Sequence, residues 1–588
     1  MLLGAEGSSA AGTAAMCLAA RARRRAPLRV AVVSERPLAG ALVVTRPDGQ
    51  EVARAEMRGG PPFWWMAEVP AAREGAWRAR LEGTAGRAEC APVVVAAEPP
   101  PPDRRGRSVW PVMRDWDRGS EALYSAWIEK MFDDPLDVQP SWPALHEVLR
   151  DPKRNFLHGH MGEDEDAAGE RAAVFDPDCA DLPFFLRGYF AFKLGLPFGY
   201  SSCTRGGPGG PPRCVRWHNN MEARMRGRGT GRTQSAAFAH FLRVNVADTV
   251  HSGSGRTPAA DDDTDFYPVP LTRESLRPGT VYADPYGHML VVVRRIPQTA
   301  ESGGVLLAVD GQPDATVARR RFWRGNFLFE DDPVLGSPGF KRFRPVVREG
   351  VRLRPLANDE IARAPAFGDF ALDQYQLGKE GFYDRMDDVL SPAPLDPSRA
   401  MREAIQALEE QVRGRVQSVH NGVEWQKKNG EVADMPEGAS IFETTGPWED
   451  FSTPSRDLRL LIAIDIVRGF PERVARRPQR YAIPAGSGAA ALRSTMDAEL
   501  TKELESRKVE YERSDGSPFT LTLADVVARS KALEMAYNPN DCVETRWGAP
   551  PKSPELSTCR RWAPGDQRAR MARYRSWFAD RKRPPRGG

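Results

Sequence analysis

Two hydrophobic periods divide the chain. Between residues 27 and 97, short apolar runs (LRVAVV, GALVVT, WWMAEV, APVVVAA) alternate with turn signals such as Pro47-Asp48-Gly49. That pattern predicts a small all-β sandwich. Residues 98–107, EPPPPDRRGR, predict a stiff polyproline linker. From 108 to about 350 helical and strand patterns mix, which predicts an α+β domain. It opens on a helix near Ser120, where Leu123, Trp127 and Met131 recur four residues apart. From 351 to 588 the helical period dominates and predicts a mainly helical region. Its clearest helix takes Asp396 as N-cap and Pro397 in its first turn, with Asn421-Gly422 as the stop. Met401, Ile405, Leu408, Val412, Val416 and Val419 form the apolar stripe, the mark of a core-facing helix. Residues 1–26 carry neither period. Arg21, Arg23, Arg24 and Arg25 follow the weakly apolar stretch instead of preceding it, the reverse of a secretory leader, so the segment reads as unstructured or as the remnant of a leader already lost.

Composition narrows the class. At 588 residues, with 41% hydrophobic and 28% charged residues, the chain is a globular protein too long for one core. A formal charge of +4 gives no ground for a nucleic-acid partner. No apolar run approaches the ~18 residues of a membrane span; the best, Leu458 to Val467, contains Arg459 and Asp465. Nothing sets the oligomeric state. The seven cysteines say more. Cys203 and Cys214 bracket a Gly/Pro loop, TRGGPGGPPR, and Cys542 and Cys559 bracket another, VETRWGAPPKSPELST. A disulfide across each would restrict a loop too poor in apolar residues to order itself, worth ~3 kcal/mol apiece. That usage fits an exported bacterial protein, periplasmic or extracellular, better than a cytoplasmic one. Independent reduced thiols are the competing reading.

The chemistry gathers at two places. In DPDCADLPFFLRGYFAFKLGLPFGY, Asp176 or Asp178 caps a helix with Cys179 in its first turn, and Gly195 ends it. A helix start favours thiolate over thiol, and its backbone N–H groups suit an oxyanion. Asp178 and Asp181 oppose the thiolate, so the reading requires a cationic partner. About a hundred residues on, LRPGTVYADPYGHMLVVVRRI places His288 at the head of the strand MLVVVRRI, and GVLLAVD returns from Gly304 to Asp310. With the turn centred near residue 300, His288 faces residues 310 to 312 and even-numbered residues share a face. Asp310 or Gln312 then orients the imidazole. Two other clusters compete. His158, His160, Glu163 and Asp164 lack the spacing of a zinc site and read as a solvated acidic loop. Asp261, Asp263 and Asp265 lack the glycine and terminal glutamate of a calcium loop and, with His251 and Arg256, read as cleft lining. No metal and no cofactor is called for.

The order of a helix-capping Cys, then PG(T/D)-strand-loop-GH-strand, then a polar residue on the next strand resembles the NlpC-type cell-wall peptidases of the papain-like superfamily. The likeness covers roughly residues 176–322. It implies a papain-like fold for residues 108–350, Cys179 as nucleophile, His288 as base, Asp310 as the orienting residue, and a peptide or cell-wall polymer as substrate. The family more often has His, Asn or Gln at the third place, so Asp310 departs from it. LRGYFAFKLGLPFGY and the AVD ending are similar to transglutaminase-like proteins, whose triad is Cys–His–Asp. A non-catalytic scaffold with a retired site is the remaining alternative. The strand spacing over 27–97 is that of immunoglobulin-like domains, without their cysteine pair and core tryptophan.

Overall fold

The computed structural model describes residues 2–4, 16–19, 27–82, 88–90, 92–95, 108–162, 164–169, 172–222, 234–364, 366–483 and 488–585. They build a multidomain α+β protein. The linker, 98–107, lies outside them.

Alternation in Leu28–Ser34, Ala41–Thr45, Phe63–Val69 and Gly75–Glu82 drives Val30, Val32, Leu42, Val44, Trp65, Trp77 and Leu81 into one core between two antiparallel sheets. Residues 2–4 and 16–19, the described part of the first 26, differ from expectation. Leu2–Gly4 pairs with Met16–Ala19, which pairs in turn with Leu28–Ser34. The open edge of that strand offers backbone partners, and composition does not reveal such an edge. On the other side of Leu28–Ser34, Trp64 donates its indole N–H to Glu129 of helix Arg118–Met131 at 3.0 Å, tying the sandwich to the next domain.

The second domain is built on a seven-stranded antiparallel sheet. Its spatial order is Ser141–Trp142, Val317–Arg321, Val305–Gly311, Met289–Ile296, Val281–Ala283, Gly339–Phe343, Phe266–Pro268. The continuous apolar run MLVVV is buried on both faces, as such runs require. Val281, Met289, Val291, Leu307 and Val309 share a core with helices Arg118–Met131 and Asp181–Leu194. Tyr282, Leu290, Val292, Leu306 and Ala308 pack with Phe382, Met386 and Leu390 of helix Gly378–Leu390. The expected break at residue 350 therefore falls inside a core: a helix grouped by period with the C-terminal region covers the sheet's second face.

Further on, helix Pro397–Asn429 packs against helix Pro454–Arg468 through Leu408, Val412, Leu461 and Ile464. The long helix does not stop at Asn421-Gly422. A Cβ on Gly422 would lie 3.3 Å from the Phe451 carbonyl oxygen, so this glycine serves close packing, and Gly430 at φ 66° ends the helix. Both expected disulfides are formed, Cys203–Cys214 across the hairpin Gly199–Cys203/Cys214–Asn219, and Cys542–Cys559. Cys90 is also disulfide-bonded. Cys179 is the free thiol among the described residues. No helix there is long and apolar enough to cross a membrane.

Candidate active site

Cys179 stands two residues before helix Asp181–Leu194, with Ala180 between, so it lies ahead of the first turn in which the sequence placed it. The Asp178 carboxylate accepts from the N–H groups of Ala180 (2.7 Å) and Asp181 (3.0 Å), and Gly195 closes the far end at φ 65°. Two of the donors expected to serve an oxyanion are thus occupied, while the N–H of Cys179 itself has no acceptor among the described residues. Two buried cations, each paired with acids, hold the helix in place. Arg187 grips Glu121 and stacks on Trp116, its guanidinium carbon 3.2 Å from the ring centre. Lys193 contacts Glu165 and Asp166 at 2.5 Å each. Part of the acidic loop read as solvated is therefore a buried clamp, which forms because Lys193 falls on the helix's inner side.

His288 closes a tight turn. The Asp284 N–H bonds the His288 carbonyl at 2.7 Å, and Gly287 takes φ 98°. The Cys179 thiol points at the Gly287 carbonyl, 3.8 Å away. His288 Nε2 and Asp310 Oδ2 lie 2.8 Å apart, which leaves Nδ1 for Cys179. This arrangement depends on a bulge. At the closed end of the hairpin Ile296 pairs with Val305 and Arg294 with Leu307; beyond Val293 the register shifts to Val292–Ala308 and Val291–Val309. Without the extra residue, His288 would face position 313, and Asp310 would project from the other side of the sheet. With it, Asp310 is the diagonal neighbour of His288. Gln312, the alternative orienter, instead turns the next hairpin through its backbone bond to Thr316.

Electrostatics favour a protonated His288. Burial works against protonated His288, but the Cys179 charge, the hydrogen bonds to Asp310 and Cys179, and the Asp310 charge outweigh it and raise the imidazole to about 10. Asp310 is buried, which would raise its pKa, yet Arg320 and His288 hold it below the ordinary carboxylate value. The Arg320 Nε lies 3.2 Å from both carboxylate oxygens. Asp181, expected to oppose a thiolate, is pushed up to about 8 by burial and by Asp178. At neutral pH it is largely uncharged and opposes little.

The pair sits at a seam. His288 and Asp310 share the sheet face of Leu290, Val292, Leu306 and Ala308, which packs on helix Gly378–Leu390, and the C-terminal region supplies residues that the sequence did not single out, Arg459 from helix Pro454–Arg468 and Arg583 from beyond the last helix. Arg459 bonds Asp284 at 2.7 Å and the Asn326 carbonyl at 2.9 Å. Arg583 bonds the Tyr286 carbonyl and Glu443. Gly311 was missed as well: a Cβ there would lie 2.5 Å from the Asp178 carbonyl oxygen, so only glycine lets the Asp310 strand press against the Cys179 segment. No spacing rule marks such long-range partners. Only Arg320 had a signal, since alternation in VARRR puts it on the face of Asp310.

The competing clusters have structural roles. Asp265 is buried and accepts from Ser201, while Arg344 binds the carbonyls of Asp261, Thr264 and Phe266. His251 caps Gly253 at 3.1 Å and contacts the Cys203 carbonyl; Arg256 binds the carbonyls of Leu335 and Arg205. His160 is buried, and Glu163 lies outside the described residues. Among the described residues, metal-ligand geometry occurs at Cys542, Glu544 and Cys559, whose sulfurs are bonded to each other. No protein-family model, curated protein or solved structure matches the chain.

Proposed function

We propose that Cys179, His288 and Asp310 form the triad of a papain-like thiol hydrolase that cleaves an amide bond, with peptides such as those of bacterial cell walls as substrates. The observation that carries this reading is the 2.8 Å His288–Asp310 bond behind an imidazole that also partners the free thiol Cys179. In this reading the Cys179 sulfur attacks the amide carbon, and the oxyanion meets the N–H of Cys179. Protonated His288 gives its proton to the departing amine, leaving an acyl-enzyme. The neutral imidazole then takes a proton from water, whose oxygen displaces the sulfur. Asp310 fixes the ring and stabilises its charge, and Arg320 keeps Asp310 ionised. The two disulfides support an exported, periplasmic or extracellular setting, and the amino-terminal sandwich fits an immunoglobulin-like module.

Aspartate at the third position favours a second reading, acyl transfer to an amine as in transglutaminase-like enzymes. Alkylation by iodoacetamide with mapping of the modified residue tests the nucleophile. Cys179 should react far faster than an ordinary thiol at pH 6, and His288→Ala should abolish the difference; equal rates in the two proteins would sink the triad. Incorporation of a labelled amine separates transfer from hydrolysis.

A further inference from the structure

The turn that presents His288 is held from far along the chain. Asp284 organises it locally: its Oδ1 accepts the Tyr286 N–H at 2.8 Å, and its backbone carbonyl accepts the Gly287 N–H at 3.2 Å. One buried group of the turn is not met by these bonds. Tyr286 is 7% exposed, and its carbonyl receives no backbone donor among the described residues. A buried carbonyl without a donor is costly. Arg583 supplies the donor from 297 residues away, its Nη1 lying 3.1 Å from the Tyr286 oxygen. Its Nη2 donates to Glu443 Oε1 at 2.9 Å. The guanidinium carbon lies 4.6 Å from the Phe442 ring centre and 5.4 Å from that of Tyr286. Glu443 itself abuts the turn: a Cβ on Gly287 would lie 3.3 Å from Glu443 Oε1 and 2.9 Å from Ser252 Oγ. The two residues before Arg583 are anchored as well, Lys582 to Asp332 and Arg581 to Asp465.

We infer that Arg583 is a positioning residue for His288: the segment after the last helix grips the turn 284–288 and so keeps the imidazole between Cys179 and Asp310. The inference rests on the proposed roles of Cys179 and His288. Both contacts to the thiol come from this turn. The Gly287 carbonyl lies 3.8 Å from the Cys179 sulfur, and His288 partners Cys179 and Asp310. The gripped carbonyl, that of Tyr286, is one peptide before Gly287. A displacement of about 1 Å can cost about 100-fold in a reaction that depends on alignment. Stability alone gives no reason for a guanidinium here, because a largely buried ion pair gains little over apolar packing of the same volume. A planar fork spanning a carbonyl and a carboxylate does fix the distance between them.

The pH profile of Cys179 alkylation by iodoacetamide, measured in the full-length protein, tests this. Arg583→Met keeps an apolar stem against Phe442 and removes both donors. Asp284 still braces the turn, so the loss should be partial. Alkylation should slow about tenfold at about pH 6 yet match the wild type at about pH 9, where a thiol ionises without help. Arg583→Lys keeps the charge beside Glu443 but cannot fork to both acceptors, and its profile should fall between the two. An Arg583→Met profile that overlays the wild type would overturn the inference and leave the triad standing. An Arg583→Lys profile that overlays the wild type would overturn it too, since charge and not grip would then be at work. Should Arg583→Met fail to fold, Arg583→Lys decides alone by that criterion. A wild-type profile like that of an ordinary thiol would overturn the triad, and the inference with it.

Discussion

The proton at the centre of the site belongs to His288, and single residues control it. Because the folded value is raised from 6.5 to about 10 by Cys179 and Asp310, the stability this group contributes is complete below 6.5 and is lost as pH rises through 10. An NMR titration of the His288 ring should place its midpoint near 10 in the native protein. Cys179→Ser should bring it down by removing the negative charge, and Asp310→Asn should lower it by a separate amount. A midpoint that ignores both changes would contradict the ion-pair description. Gly311→Ala tests a contact no chemistry requires. The added methyl must displace the Asp178 carbonyl, and with it Cys179, so iodoacetamide reactivity should fall about tenfold or more while the disulfides persist.

At the scale of elements, the helix behind Cys179 and the hairpin bearing His288 were legible to different degrees. Asp178, the apolar face and Gly195 outline the helix in one short segment, because caps and periodicity are local. Its anchoring was not legible. Glu165 and Asp166 look like any solvated acidic run until Lys193 is seen to enter between them. Burial tends to raise Glu165, but Lys193 overrides it and holds the carboxyl down at about 2. Its share of stability is then present above 4.5 and lost as pH falls through 2. Lys193→Met would leave two carboxylates buried without a cation and should cost about 3–5 kcal/mol at neutral pH, read by urea unfolding. The acid-side loss owed to Glu165 should shrink in the same variant. The hairpin shows the opposite balance. Alternation pointed to Asp310 beside His288 on the assumption of a regular turn centred near residue 300. The turn is off-centre by half a residue, and the bulge at Val293 restores the parity. The inference named the right residue, but a regular hairpin with this turn would have excluded it.

For the whole molecule, the sheet has two covers and the second lies beyond residue 350. Phe382, Met386 and Leu390 bury one face of the strands that carry His288 and Asp310. A fragment of residues 108–350 should therefore fail to give a soluble, cooperatively folding domain, whereas the full chain should show one thermal transition for sheet and helical cover together. Circular dichroism melting of both would decide. A stable, reactive fragment would show that the sheet can do without this helix and that the sequence-drawn boundary is sound.

What the sequence determined by itself is what depends on neighbours in the chain. The sandwich alternation, the capped helix after Cys179, the strand after His288 and the two short disulfide loops each follow from spacing within a few to some twenty residues. The tertiary structure decided what depends on which distant groups meet. It paired Met16–Ala19 with the sandwich edge, carried helix Pro397–Asn429 past Gly422, and set Arg320 on Asp310. It also brought Arg459 onto Asp284, beside the His288 turn, from more than a hundred residues away. The physical reason is that backbone propensity and hydrophobic period act along the chain, while burial, ion pairing and steric approach act through space, where sequence separation carries no weight.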